Sequence, residues 1–134
     1  KTASYPGRGV PAAFNDVLRA EEVTERAAKL GCDFRDAAEA SEKVEEELGE
    51  LLAEVAEGDK AHIAEEAGDL LFAAVNVGRL AGADCEESLQ ESTRKFVRRF
   101  CETDRLLAAD GKRMQDLSPE ELWRYYEEAK KQHG

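Results

Sequence analysis

Two stretches of the chain set carboxylates in the same pattern. Residues 46–52 read Glu-Glu-Leu-Gly-Glu-Leu-Leu, and residues 65–71 read Glu-Glu-Ala-Gly-Asp-Leu-Leu. At about 100° per residue on a helix, Glu47 and Glu50 fall on one edge of an apolar stripe that includes Val44, Leu48, Leu51 and Val55. Glu66 and Asp69 fall on the same edge beside Ile63, Ala67 and Leu70. Each pair is spaced by three residues, so each helix shows two carboxylates from one face. Only Gly58 and Asp59 punctuate the chain between the two stretches, which predicts an antiparallel hairpin with axes about 8–10 Å apart. In such a hairpin Glu47 meets Asp69 and Glu50 meets Glu66, because the two pairs share one residue-number sum. The four carboxylates are thus expected at one level, beside the seam and not on the outer surface. Like charges about 5 Å apart repel by about 3 kcal/mol at an effective dielectric near 20. Either the pKa values rise, or a multivalent cation sits among them. The donors are all hard oxygens and no Glu-x-x-His occurs among them, so Mg²⁺, or Mn²⁺, suits the set better than a di-iron centre. The plain alternative is a Glu-rich helix face that only meets water.

A local basic cluster stands out from the acidic background. Arg94, Lys95, Arg98 and Arg99 lie close together, with Lys95 and Arg99 on one face beside Phe96 and Phe100. A carboxylate-held dication with Lys and Arg nearby is the equipment a polyphosphate needs, the metal bridging some oxygens and the cations meeting the rest. Ion pairing with the surplus Glu on neighbouring helices is the competing use, above all for Arg94 and Arg98.

These residues need helices to hold them. Ala, Leu, Glu, Lys and Arg dominate, and the Pro residues are confined to Pro6, Pro11 and Pro119. Residues 1–13 carry two Pro and two Gly and read as an extended arm or linker; residues 14–134 read as one domain. A first helix is predicted from an Asn15 N-cap to Lys29, with Val17, Leu18, Val23 and Leu30 inward and Gly31 as its stop. The second spans about 36–57, its stripe running Val44, Leu48, Leu51, Leu52, Val55. The third follows Asp59 to about residue 81, with Ile63, Ala67, Leu70, Leu71, Ala74 and Val75 inward. The fourth opens on an Asp84/Glu87 capping box and runs through Leu89, Phe96, Phe100 and Leu107 toward Gly111. The fifth has Ser118 as N-cap, Pro119 first and Glu121 closing the box, then Leu122, Trp123, Tyr125 and Tyr126. Nothing alternates as a strand would. The expected fold is all-α, an antiparallel bundle of four to five helices.

Charge narrows the partners. The 134 residues hold 19 Lys plus Arg against 30 Asp plus Glu, a net charge of −11, which repels nucleic-acid backbones and anionic lipid. No run approaches the roughly 18 apolar residues of a membrane span, and no signal peptide opens the chain. Cys32, Cys85 and Cys101 form no Cys-x-x-Cys pair and are expected as buried small residues in a reducing cytoplasm. The first residue is Lys1, so a longer parent protein is expected.

At residues 43–50 (Lys-Val-Glu-Glu-Glu-Leu-Gly-Glu), 65–76 (Glu-Glu-Ala-Gly-Asp-Leu-Leu-Phe-Ala-Ala-Val-Asn) and 95–100 (Lys-Phe-Val-Arg-Arg-Phe) the sequence resembles the MazG family of nucleoside triphosphate pyrophosphohydrolases, in its C-terminal type of domain. The resemblance runs from about Val10 to the Trp123 helix. It implies an all-α homodimer that hydrolyses a nucleoside triphosphate to the monophosphate and pyrophosphate with Mg²⁺, by water attack at the α-phosphorus. It further implies Glu47, Glu50, Glu66 and Asp69 as metal ligands, Glu46 at the metal site, and Lys43, Lys95 and Arg99 on the phosphates; for the chemistry, Glu46 or Glu47 is the expected proton acceptor, and Lys95 and Arg99 are expected to stabilise the leaving pyrophosphate. Trp123 would cover the nucleotide, or serve as a buried structural aromatic. Many relatives carry Lys at His62, so a phosphate contact there departs from the common pattern; many carry Trp at Phe34 and Asn at Thr93, so base recognition departs from it as well. Many members hold two such domains in tandem, with a linker like residues 1–13 between them. A relative specific for dUTP/dCTP or phosphoribosyl-ATP, or a silent dimerisation module, would share most of these features.

Overall fold

The computed structural model describes residues 15–132; the expected arm at 1–13 lies outside them. The described residues form five α-helices and one 3₁₀ turn, with no strand among them: α1 Asp16–Lys29, α2 Ala37–Glu57, α3 Lys60–Leu80, α4 Cys85–Ala109, and α5 Pro119–Gln132 after a 3₁₀ turn at Met114–Asp116. They divide into two compact units, one ending at Ser88 and one beginning at Leu89.

In the first unit the helix ends follow from the chemistry of their caps. Asp36 accepts a hydrogen bond from Glu39 N, and Glu39 Oε1 accepts one from Arg35 N, which opens α2 with both orphan donors satisfied. Gly58 closes α2 in the left-handed region at φ 79°, and Asp59 at once caps α3 by accepting from Ala61 N and His62 N. That tight turn folds α3 back along α2, the most extensive helix pair in the molecule, while α1 packs on α3. Asn15 departs from expectation, since its side chain makes no capping bond and α1 begins on its carbonyl alone, which accepts from Arg19 N. The start of α4 is capped twice. Asp84 accepts from Glu87 N, as its position predicts, and Glu21 reaches from α1 to accept from Cys85 N and Glu86 N.

The second unit holds most of α4, the 3₁₀ turn and α5. α4 stops at Ala109 ahead of Gly111, which has a positive φ. The Ser118 box is complete: Ser118 Oγ accepts from Glu121 N, and Glu121 Oε1 accepts from Ser118 N. Tyr125 donates to Asp110 Oδ2 at 2.6 Å, tying α5 to the end of α4.

Burial corrects several inward assignments. The fully buried apolar side chains are small or few: Ala40, Ala73 and Val75 in the first unit, Leu107 and Ala129 in the second. Leu18, Val23, Leu30, Leu48, Leu52, Val55, Leu71, Leu89 and Phe96 are exposed instead, Leu30 at 88%. Ala74 is exposed as well. The reason is geometric. Close helix packing consumes a narrow seam, where Ala40 and Ala73 sit, and the wider apolar stripes of α2 and α3 extend past it. Cys32 and Cys101 are exposed and Cys85 is half-buried, so the expectation of buried cysteines fails. Cys32 lies in the loop after α1 and Cys101 on the outer face of α4.

Candidate active site

The antiparallel hairpin brings the two carboxylate pairs together. Oxygens of Glu47, Glu66 and Asp69 lie within 4.8 Å of one another, and so do oxygens of Glu46, Glu47 and Glu50. Glu47 belongs to both groups and is 5% exposed. Glu66 is half-buried, whereas Glu46, Glu50 and Asp69 are exposed, so two of the four carboxylates expected off the surface open to solvent. Glu47 and Glu66 are thus the more buried members of the cluster, and Glu46, Glu50 and Asp69 the more exposed ones.

Its electrostatics show one of the two outcomes that crowded carboxylates allow. Burial, with Glu47 and Glu50 beside it, pushes the Glu66 carboxyl up to about 7. The charge of Glu47 raises Glu50 as well. Glu47 itself is lowered, because Lys43 Nζ sits 3.1 Å from its Oε2 and also 3.1 Å from Glu46 Oε2. That ammonium is in turn held in its charged form, its pKa raised by Glu46 and Glu47. Lys43 satisfies only one oxygen of Glu47. Glu47 Oε1 and Glu66 Oε1 are both buried without a hydrogen-bond partner. Two buried oxygens without partners, on residues of one carboxylate cluster, are an unfavourable arrangement for the protein alone. An all-oxygen donor set with vacant lone pairs is what Mg²⁺ or Mn²⁺ takes, so the residues fit such an ion.

The remaining cationic candidates, Lys95 and Arg99, and the aromatic Trp123 belong to the second unit. Lys95 and Arg99 are half-buried on α4. Arg94 and Arg98 both pair with Glu91 on their own helix, so they form the ion pairs anticipated for them, within α4 and not between helices. Trp123 is 56% exposed and stands edge-on to Tyr126, with ring centroids 5.4 Å apart, which sets aside the reading of a buried structural aromatic. Of the positions that depart from the common pattern, His62 Nδ1 lies 2.9 Å from the capping Asp59, and Thr93 bonds back to Leu89 O within its helix. Phe34 lines a cavity of the first unit together with Asn76 and Arg79. Neither of those two drew attention as a site residue, although a lone Asn on the apolar run of α3, one heptad after Asp69, was the available signal.

The MazG nucleotide pyrophosphohydrolase domain family matches residues 35–102, more than half of the chain and all of the carboxylate hairpin. The chain belongs to the MazG family. Among curated proteins this MazG chain is 35% identical, over 92% of its length, to the nucleoside triphosphate pyrophosphohydrolase of Escherichia coli K12, of which the match covers 48%. It is 40% identical, over 83% of its length, to the nucleoside triphosphate pyrophosphohydrolase/pyrophosphatase MazG of Thermotoga maritima, of which the match covers 42%. The chain thus spans about half the length of the curated relatives it matches. The family match takes in Glu46, Glu47, Glu50, Glu66 and Asp69 together with Lys43, Lys95 and Arg99; Trp123 lies beyond it.

Proposed function

We propose that this MazG domain is a Mg²⁺-dependent pyrophosphohydrolase that converts a nucleoside triphosphate and water to the nucleoside monophosphate and pyrophosphate. The observation that carries the reading is the pair of buried, partnerless oxygens on Glu47 and Glu66, within the cluster that also holds Asp69 and Glu50. The names of the relatives support it.

Glu47, Glu50, Glu66 and Asp69 would hold Mg²⁺, with Mn²⁺ able to replace it. Bound there, the ion supplies charge neutralisation and Lewis acidity to the phosphates and to the attacking water. The remaining work belongs to the side chains. A water oxygen bonds to the α-phosphorus, the bridging bond to the β-phosphate breaks, and pyrophosphate departs with the bridging oxygen. Glu46 takes the proton of that water. Lys43 orients Glu46 and Glu47 and favours the ionised form of Glu47. Lys95 and Arg99 stabilise the charge that builds on the leaving pyrophosphate, and Trp123, with its exposed ring, covers the nucleotide.

Two copies of the chain form the active species in this account. Leu48, Leu52 and Val55 follow one another at helical spacing on the exposed side of α2 and offer an apolar face for two-fold pairing. Light scattering should give a dimer, and Leu52→Glu should shift it to monomer. Free thiols and the acidic charge fit a cytoplasmic enzyme that avoids nucleic acid. No helix of the described residues is long and apolar enough to cross a membrane.

The direct test is pyrophosphate release from a panel of triphosphates, including dUTP, dCTP and phosphoribosyl-ATP, with and without Mg²⁺. Mg²⁺-dependent release is expected, and Glu50→Gln should lower it at least about 100-fold. A Glu50→Gln protein turning over at the wild-type rate removes that residue from the site. Absence of turnover and of Mg²⁺-dependent nucleotide binding would leave a silent dimerisation module.

A further inference from the structure

The ammonium of Lys43 has two carboxylate neighbours, and both belong to the cluster. Its Nζ lies 3.1 Å from Glu46 Oε2 and 3.1 Å from Glu47 Oε2. The three residues share one face of α2, with Lys43 one turn ahead of the two acids. Helix stability does not account for that order, because a Lys placed four residues before a Glu is the weaker arrangement of such a pair. Exposure separates the partners as well. The Lys43 side chain is 43% exposed and that of Glu47 7%, so the long stem brings a charge from the surface down to a buried acid.

The consequence lies in what Glu47 has left to give. A carboxylate has two oxygens, and an ammonium hydrogen-bonded to one of them repels a metal ion from that same oxygen. Glu47 Oε2 is engaged in this way, whereas Glu47 Oε1 is buried and has no hydrogen-bond partner. Glu47 therefore offers a single oxygen to an ion. It is the member common to both carboxylate groups of the cluster, so the restriction applies to an ion held by either.

Divalent ions differ in how they take a carboxylate. Mg²⁺ demands a near-ideal octahedron of oxygens about 2.0–2.1 Å away, which a carboxylate giving both of its oxygens bends out of shape. Ca²⁺ accepts six to eight oxygens at about 2.3–2.6 Å and takes carboxylates through one oxygen or both. Without Lys43, the cluster has oxygens enough for the larger ion.

We infer that Lys43 is a positioning residue that, by holding Glu47 Oε2, makes Glu47 a one-oxygen ligand and biases the cluster toward Mg²⁺ and against Ca²⁺. The inference rests on the metal reading above and adds what selects the ion.

Calorimetric titration of the full chain at pH 8 with Mg²⁺ and with Ca²⁺, in the absence of nucleotide, reads that bias as the ratio of the two affinities. Lys43→Met keeps the stem and removes the charge. It should raise Ca²⁺ affinity relative to Mg²⁺ about tenfold, the scale of effect seen when a group that orients a metal ligand is lost. Lys43→Arg keeps a donating cation and should hold the ratio near the wild-type value. Loss of positive charge alone strengthens both ions in equal measure. Lys60→Met, at an exposed lysine that opens α3, supplies that comparison and should leave the ratio unmoved. A Lys43→Met protein that binds both ions more tightly at the wild-type ratio overturns the inference, and so does a ratio that rises as far in Lys43→Arg as in Lys43→Met. If Lys43→Met does not fold, Lys43→Gln is read in its place by the same criterion. A wild type that binds neither ion removes the metal reading and this inference with it; one that binds Mg²⁺ while the ratio ignores Lys43 removes the inference alone.

Discussion

Two buried glutamates, one in each unit, are set up in opposite ways. Glu102 on α4 is 9% exposed, and Arg105, one turn later, donates to both of its oxygens. Glu47 on α2 is buried more deeply, yet Lys43 reaches only one of its oxygens and the other has no partner, as is true of one oxygen of Glu66 in the same cluster. Glu102 therefore arrives with its partner included, as a structural charge must when it is taken out of water. The arrangement around Glu47 is complete only with something added. Under the proposed function, the difference separates a carboxylate kept for folding from carboxylates kept for binding.

The largest expected effect contrasts those two uses. Glu66→Gln should lower kcat/KM at least about 100-fold, as loss of a group holding a reacting centre does, and at pH 8 it should raise the melting temperature of the metal-free protein by removing a confined negative charge. Glu102→Gln should do the reverse, keeping turnover near wild type while lowering the melting temperature by several degrees, because Arg105 loses its counter-charge. If both variants lose stability and keep activity, the distinction between the two glutamates collapses.

A middle-sized effect concerns Mg²⁺ and the fold. A ligand that binds only the native state stabilises it by about 2.7 kcal/mol when present at 100 times its dissociation constant. Scanning calorimetry in saturating Mg²⁺ should show an upward shift for wild type and for Glu102→Gln, and none for Glu66→Gln.

The smallest effect is the dependence of the metal-free protein on pH. The Glu66 carboxyl titrates near 7 in the folded chain, above its ordinary value, and Glu50 is raised too. A raised acid binds its proton more tightly folded than unfolded. Its stabilising contribution is present at low pH and is lost as pH climbs through about 7. Metal-free melting temperatures should therefore fall between pH 5.5 and pH 8 by a degree or a few, and Glu66→Gln should flatten the trend. Mg²⁺ affinity should run the opposite way, weakening as pH drops through about 7, because the ion competes with that proton.

Much of this was legible in the chain itself, for local reasons. Asp36, Gly58, Asp59, Asp84, Ser118 and Glu121 mark helix ends through bonds to residues a few positions away, so the boundaries of α2, α3 and α5 follow from spacing. The meeting of Glu47 with Asp69 and Glu66 followed from a two-residue turn and helix periodicity. Features that depend on contacts distant in sequence were not legible. Glu21 capping α4, and Asp33 reaching Arg79, join residues dozens of positions apart. The exposure of Leu48, Leu52 and Val55 reflects how narrow a helix seam is, which periodicity does not report. Lys43, expected on the phosphates, pairs with Glu46 and Glu47 on its own helix.

Anomalous diffraction from crystals grown with Mn²⁺ addresses the central claim most directly. The account predicts a peak among the carboxylates of Glu47, Glu50, Glu66 and Asp69, with oxygen ligands a little over 2 Å away. Crystals soaked at a Mn²⁺ concentration that supports turnover, yet lacking density among those carboxylates, would contradict it.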